Sequence, residues 1–521
     1  MAHKDGKVNR AFNIFTAIAA LFLIFVDFSA FAQETKDDPV YLRPVAAVAS
    51  SFDESEWAPP KDAMAAADGD FETRWSPSLG KDNEWIYFDL GKPKTLTRIV
   101  IYWERAYARE YEILTSDDTL QWKSAILMKD RRGGIETLDL QPTTARYIKL
   151  IGLKRSHPDW GFSIWEFEIY GPKGLNPDDK PIQEVFPDRK PKEVIKLVME
   201  EPLASAGIIS VKEFHKGISY SSYSESDLAA KASDAMLEYL KGLNITHVSL
   251  SVTWYQDTLE SDKMYPEDPQ GGRTPTDEAL SHAINKAHLL GMKVMLKPHL
   301  DVQAGDFRGN IPGSEEWFKN YEEFILKYAK FAAKYNVEMF CIGTELGGTP
   351  LLWEQNWRKI IKEVRKAYKG PLVYAANWDE YTEVPFWNEL DFMGIDAYFP
   401  LTSKNDPSRD ELIAGWEKRA GEIENFLKKK NINKPVIFTE VGYTSADGTN
   451  RKPWEAPSDI EDQKEQAECL DAAMTVLTKK SWFRGIYWWN AFPQETNSPL
   501  GFTVKGKLVE GVLADWYKKA K

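Results

Sequence analysis

The chain has 521 residues, a net charge of −13 and 13% aromatic residues, among them 19 Trp and 22 Tyr. That length exceeds one ordinary core and implies two or three domains, and the absence of any long Lys or Arg run in an acidic chain excludes a phosphate-tracking surface for nucleic acid. The two cysteines, Cys341 and Cys469, are too few for a disulfide framework, and their spacing leaves open whether they pair.

The first 32 residues read as a targeting segment. Lys4, Lys7 and Arg10 form a basic start, an apolar run follows from Phe12 to Val26, and Ala30-Phe31-Ala32 supplies the small residues a signal peptidase reads. Cleavage is expected after Ala32, with a secreted or periplasmic mature protein; retention as an uncleaved anchor is the alternative. No other stretch is apolar enough to span a bilayer.

Residues 40–172 show short aromatic and β-branched runs between turns: Trp85–Leu90, Thr97–Trp103, Arg146–Leu150 and Trp165–Tyr170. Several alternate with period two, and no helix-length pattern intervenes, which predicts an all-β, jelly-roll-like sandwich. Residues 173–206 are Pro-rich and charged and read as a semi-rigid linker.

From 207 to 521 the rhythm changes to strands alternating with helices. Eight strand-like runs follow one another: Gly217–Tyr220, Val248–Trp254, Lys293–Pro298, Val337–Gly343, Leu372–Ala376, Asp391–Ala397, Pro435–Thr439 and Arg484–Trp489. Most are continuously apolar, as strands buried on both faces are. Helical faces separate most of them, as over Asp227–Leu243, and over Thr276–Leu290 with Thr276 as N-cap and Gly291 as stop. A closed (β/α)8 barrel fits this order, whereas a doubly wound open sheet more often opens on a glycine-rich turn that is absent here.

In such a barrel the chemistry sits at the C-terminal strand ends. Glu345 ends the fourth run and Glu440 the seventh, each directly after apolar residues, where a carboxylate gains nothing for the core. Two carboxyls facing one cavity suit glycoside cleavage, one protonated to help the leaving oxygen depart and one ionised at the anomeric carbon; structural ion pairs are the alternative for each. Around them the strand ends collect Trp254, Gln256, Lys297, His299, Asn377, Asp396, Tyr398 and Trp489 as candidate sugar contacts, each with core packing or a rim ion pair as its alternative. Trp378, Trp387 and Trp454 are candidates to extend the cleft by stacking, and Trp353 and Trp357 fit helix packing.

From about Lys216 onward the chain resembles glycoside hydrolase family 113, endo-β-1,4-mannanases of the retaining (β/α)8 clan. The resemblance rests on Thr253-Trp254-Tyr255-Gln256, Leu296-Lys297-Pro298-His299, Cys341-Ile342-Gly343-Thr344-Glu345-Leu346 and Thr439-Glu440-Val441-Gly442-Tyr443. It implies Glu345 as acid/base and Glu440 as nucleophile, with carboxyls about 5–5.5 Å apart. It further implies a hydrogen bond from Tyr398 to Glu440 and Trp489 as a platform beneath the sugar. Most of the clan carries Asn before the acid/base, and Thr344 stands there, so the partner of the sugar 2-hydroxyl is left open. The expected partner is a mannan or glucomannan type of polysaccharide. Another β-glycanase or exo-glycosidase, or a non-catalytic polysaccharide-binding protein, are the alternatives.

In the N-terminal module, Ala65-Ala66-Ala67-Asp68-Gly69-Asp70-Phe71-Glu72-Thr73-Arg74-Trp75 gathers hard oxygen donors suited to Ca²⁺ in a spacing that is no EF-hand; a plain Asx-rich turn is the alternative. With Trp85–Leu90 and Trp165–Gly171 it resembles the discoidin, or factor 5/8 type C, sandwich, whose bacterial versions include carbohydrate-binding module family 32. That resemblance implies a structural Ca²⁺ held by backbone oxygens near Ala65 and Asp70, by Asp68 and Thr73, and by Glu166. Tyr107, Arg109, His157 and Trp160 are loop candidates for sugar contact. No cofactor is expected for catalysis.

Overall fold

The structure, a computed structural model, describes residues 39–520 apart from 56–59, 105, 132, 157–159, 176–179, 190–196, 267–272 and 495–497. The predicted targeting segment and His157 therefore lie outside the described residues. The N-terminal module is antiparallel: β1 (Val40–Tyr41), β2 (Ala46–Ala49), β3 (Trp85–Trp103), β4 (Ala108–Ser116), β5 (Lys123–Met128), β6 (Ile135–Arg155) and β7 (Ile164–Gly171). They pair in the order β1-β7-β3-β6-β4-β5, with β2 on β3. Two runs that look separate in sequence, Trp85–Leu90 and Thr97–Trp103, are halves of β3, whose register with β6 shifts between Asp89 and Lys94. Gly91, at φ +76°, takes a left-handed conformation there that a side chain would strain. The first half of β3 pairs with β2 and the second with β7, so one long strand links both partners. Period two does the rest: Ile86, Phe88, Leu90, Ile99 and Ile101 point inward, and Phe88 stacks on Phe167 of β7 at 4.8 Å.

The Pro-rich stretch beyond β7 is anchored at both ends. Lys180 bridges to Tyr41, a single helical turn α1 (Ile182–Val185) follows, Phe186 packs on Tyr41 at 5.7 Å, and Arg189 pairs with buried Glu168. Past the undescribed residues, the backbone N–H groups of Leu203 and Ala206 donate to Asn285 and Glu338. Ile209 is then buried among Met295, Met339, Val373, Phe392, Ile437 and Tyr487, closing the barrel floor.

The barrel strands are β8 (His215–Tyr220), β9 (His247–Gln256), β11 (Lys293–Val302), β12 (Met339–Thr344), β13 (Leu372–Asn377), β14 (Phe392–Asp396), β15 (Val436–Val441) and β16 (Phe483–Ala491). All eight predicted runs are thus strands; they are parallel, and β16 pairs with β8 to close the ring. A two-residue strand, β10 (Tyr265–Pro266), lies antiparallel on the end of β9. The helices outside are α2 (Lys231–Gly242), α3 (Asp277–Leu289), α4 (Glu315–Lys334), α5 (Glu354–Ala367), α6 (Arg409–Lys430), α7 (Gln463–Leu477) and α8 (Leu508–Lys519). Thr276 caps α3 by accepting from Ala279 N at 3.2 Å, as its sequence position predicts. Among the described residues no α-helix joins β13 to β14; a short 3-10 turn (Trp387–Glu389) and the buried rings of Phe386 and Trp387 cover the sheet there. Cys341 and Cys469 are both buried and both free. Among the described residues no helix is long and apolar enough to cross a membrane.

Candidate active site

Residues 344 and 345 leave β12 at its C-terminal end, and the backbone turns sharply: Glu345 has φ +52°, in the left-handed region. Its N–H donates to Ala375 O at 2.8 Å, which secures a conformation costing about 1–2 kcal/mol in an unsupported chain. Glu440 lies one residue before the end of β15. Both carboxyls line one cleft of about 550 Å³ at this end of the barrel, with side chains 13% and 6% exposed. His299, Asn377 and Tyr398 share the wall, and Phe307, Trp378, Trp454, Trp489 and Phe502 give it apolar faces. Trp378 and Trp454 lie parallel, 5.9 Å apart.

The two glutamates sit in unlike surroundings. Glu440 accepts from Lys297 Nζ at 2.5 Å on one oxygen and from the Tyr398 hydroxyl at 2.9 Å on the other. Donors on both oxygens, one of them cationic, are the partners of an ionised carboxylate. Lys297 also reaches both oxygens of Asp396, at 3.2 and 3.1 Å, and Thr439 Oγ1 donates to Asp396 at 2.7 Å. Burial opposes the charge on Lys297, but Asp396 and Glu440 outweigh it and raise the ammonium above its ordinary value. Burial, with Glu440 alongside, pushes Asp396 up to about 7. Arg308 stands 3.7 Å from Glu345. Burial, followed by the charge of Asp396, holds its carboxyl well above the ordinary range even against Arg308. The two carboxyls thus differ: burial favours the neutral form of Glu345, whereas Glu440 accepts from donors on both of its oxygens.

Of the residues expected at the site, His299, Asn377, Tyr398 and Trp489 line the cleft with the two glutamates. Lys297 and Asp396 lie beneath it, fully buried and in contact with Glu440 rather than with the open space. Trp254 and Gln256 are not brought to the cleft. They share strand parity with Val248, Leu250 and Val252, which face the helices. Trp254 packs on Phe324 of α4 and donates to the Tyr328 hydroxyl at 2.9 Å. Gln256 spends its amide on Thr258 O, Leu259 O and the Trp317 indole. Trp387 is buried and donates to Tyr381 O. Sequence reasoning passed over Arg308, Tyr223, Phe307 and Phe502, which come from loops at the strand ends. For Arg308 the only signal was its place in the loop after the third strand, where barrel enzymes carry function.

In the sandwich, Thr73 Oγ1 lies 2.8 Å from Asp68 Oδ2, 3.0 Å from Asp70 O and 3.4 Å from Ala65 O, and Glu166 accepts from Gly69 N at 3.0 Å. Burial pushes Glu166 up to about 9, with the charge of Asp68 adding to it.

A parallel barrel whose mouth sets two unlike carboxyls among aromatic rings defines the class of protein: a glycoside hydrolase. Residues 219–507 match Glycoside Hydrolase Family 113, and residues 46–167 match the F5/8 type C domain. With more than half its length matched, the chain belongs to glycoside hydrolase family 113, and it carries an F5/8 type C domain ahead of the barrel. A solved GH113 β-1,4-mannanase complex is 26% identical with a TM-score of 0.52, over 59% of this chain and 99% of that one. The GH113 β-mannanase AaManA from Alicyclobacillus acidocaldarius, in complex with ManMIm, is 25% identical with a TM-score of 0.53, over 59% of this chain and 98% of that one. Chitosan-binding module 1 of a chitosanase/glucanase from Paenibacillus sp. IK-5 is 36% identical with a TM-score of 0.23, over 25% of this chain and 98% of that one. No curated protein matches the chain.

Proposed function

We propose that this enzyme is a retaining endo-β-1,4-mannanase acting on mannan-type polysaccharides. The observation that carries the chemistry is the unlike setting of Glu345 and Glu440 in one cleft. Glu440 attacks the anomeric carbon as the bond from that carbon to the bridging oxygen breaks, and the proton of Glu345 passes to the departing oxygen. Water then gives a proton back to Glu345 and attacks the same carbon, and Glu440 leaves. Support for mannan as the substrate comes from the solved family members named as mannanases. The basic and then apolar N-terminal segment supports export. The test is product analysis on glucomannan, galactomannan, β-1,4-mannan, cellulose, xylan and a β-1,3-glucan. A ladder of mannose-containing oligosaccharides is expected, absent in Glu440→Ala. Cutting of another β-glycan instead would discard mannan and keep the chemistry.

The oxygens of Ala65, Asp68, Asp70, Thr73 and Glu166 fit a structural Ca²⁺ in the sandwich. Two neighbouring carboxyls, one of them forced toward its neutral form by burial and by the other, are the donor set a divalent cation relieves. At calcium a hundredfold above Kd the folded chain gains about 2.7 kcal/mol, so chelator is expected to lower the melting temperature by several degrees. Glu166→Gln is expected to melt at the same temperature with calcium and with chelator. A wild type indifferent to both would remove the metal from the proposal.

A further inference from the structure

We propose that Arg308 is a positioning residue that fixes the tautomer of His299, so that His299 offers its Nε2–H to the sugar hydroxyl next to the anomeric carbon. The proposal rests on the two-glutamate reading of the cleft and names the residue that reads that hydroxyl. A guanidinium has donors and no acceptor. Arg308 Nη1 stands 3.3 Å from His299 Nδ1, so Nδ1 must present its lone pair. Burial, and then the charges of Arg308 and Lys297, keep the imidazole neutral. A neutral ring with a bare Nδ1 carries its one proton on Nε2.

That Nε2 is buried and has no hydrogen-bond partner among the described residues, a costly state for a donor. It belongs to a residue of the cleft wall and lies 3.8 Å from Glu440 Oε1, too far for a direct hydrogen bond. A hydroxyl oxygen about 2.8 Å from each atom closes a triangle with them, accepting from Nε2–H and donating to Oε1. Glu440 bonds to the anomeric carbon, whose ring oxygen carries no proton. The hydroxyl within reach of both Glu440 and His299 is therefore on the adjacent carbon. Thr344, which stands before the acid, lies 3.9 Å from Cys341 Sγ and is fully enclosed. Arg308 is itself held by its ion pair with Asp301, and the same guanidinium reaches Glu345 at 3.7 Å. One loop residue thus orients the hydroxyl donor and touches the acid. The direction of Nε2–H also bears on whether an axial or an equatorial hydroxyl is accepted, which is where mannose and glucose differ.

The test uses the full chain labelled with ¹⁵N at its 7 histidines, with His299 assigned from its loss in His299→Ala. The wild type is expected to show a neutral His299 protonated at Nε2. Arg308→Met is expected to shift it to a mixture of tautomers, and Arg308→Lys to restore part of the wild-type signal. A wild-type His299 protonated at Nδ1, or a spectrum unmoved by Arg308→Met, overturns the lock. The second arm compares kcat/KM for an aryl β-1,4-mannotrioside and its analogue lacking the hydroxyl beside the cleaved bond. The preference for the hydroxylated substrate is expected to fall about tenfold or more in both His299→Ala and Arg308→Met. An unchanged preference overturns the contact. A wild type that cuts neither substrate removes mannan as the substrate instead, and the ¹⁵N arm still decides the lock.

Discussion

Replacing Glu440 with Ala is expected to lower kcat on polysaccharide by ~10⁵-fold, the scale on which loss of a nucleophile is felt. Replacing Glu345 is expected to behave differently. Its proton matters most when the leaving group is a sugar alkoxide, so Glu345→Ala should cost about 10²–10⁴-fold on polysaccharide and far less in the first step on a dinitrophenyl glycoside, whose leaving group needs no proton. Azide should rescue both variants with opposite stereochemistry. In Glu345→Ala it replaces water at the second step and gives a β-glycosyl azide; in Glu440→Ala it replaces the carboxylate and gives an α-glycosyl azide. The pH dependence follows from the same assignment. Burial raises Glu345, the active form is the acid, and activity is therefore complete below its folded pKa and lost as pH rises through it. The alkaline limb of kcat/KM should disappear in Glu345→Ala assayed on the activated substrate. If it stays, another group is the acid.

How far the sequence reaches into this site depends on what each residue's neighbours are. Glu345 and Glu440 stood out because a carboxylate directly after an apolar strand has no packing reason to be there, and the barrel strands stood out because burial on both faces makes them continuously apolar. Trp254 and Gln256 also lie at the C-terminal end of their strand, yet strand parity turns them toward α4. Counting strand ends locates the rim; it does not say which alternate residue faces inward. Lys297 was legible as a charged residue near the site, but its enclosure by Asp396 and Glu440 depends on three strands meeting. Arg308 carries no periodicity, because a 3-10 turn in a loop has none to carry. In the sandwich, the turn-like Gly91 and Pro93 divided β3 into two apparent strands although pairing runs along both halves. Ile209 follows a polar, Pro-rich stretch, and nothing local marks it as the residue that closes the barrel floor.

Lys297 yields the second large effect. Its ammonium is the cation between two carboxylates, 0% exposed itself, with Asp396 equally enclosed. Lys297→Met keeps the side chain's length and removes the charge, which leaves two acids sharing one buried site. Breaking a buried pair in this way costs about 3–5 kcal/mol, most of it the penalty of the charge left behind. Such acids keep part of their charge neutralised by binding a proton that the unfolded chain releases near pH 4. The folded variant then holds more protons than the unfolded one, so its stability falls as pH rises. The deficit against wild type should therefore widen from pH 5 to pH 8 in urea denaturation. Activity should fall in kcat rather than through KM, because Lys297 touches Glu440 and lies beneath the cleft floor. Adding Asp396→Asn removes one of the two acids, and the double variant should recover much of the lost stability, with a coupling of roughly 2 kcal/mol or more between the positions. A sugar-binding lysine would behave in the opposite way, with KM raised, stability nearly untouched and no coupling to Asp396.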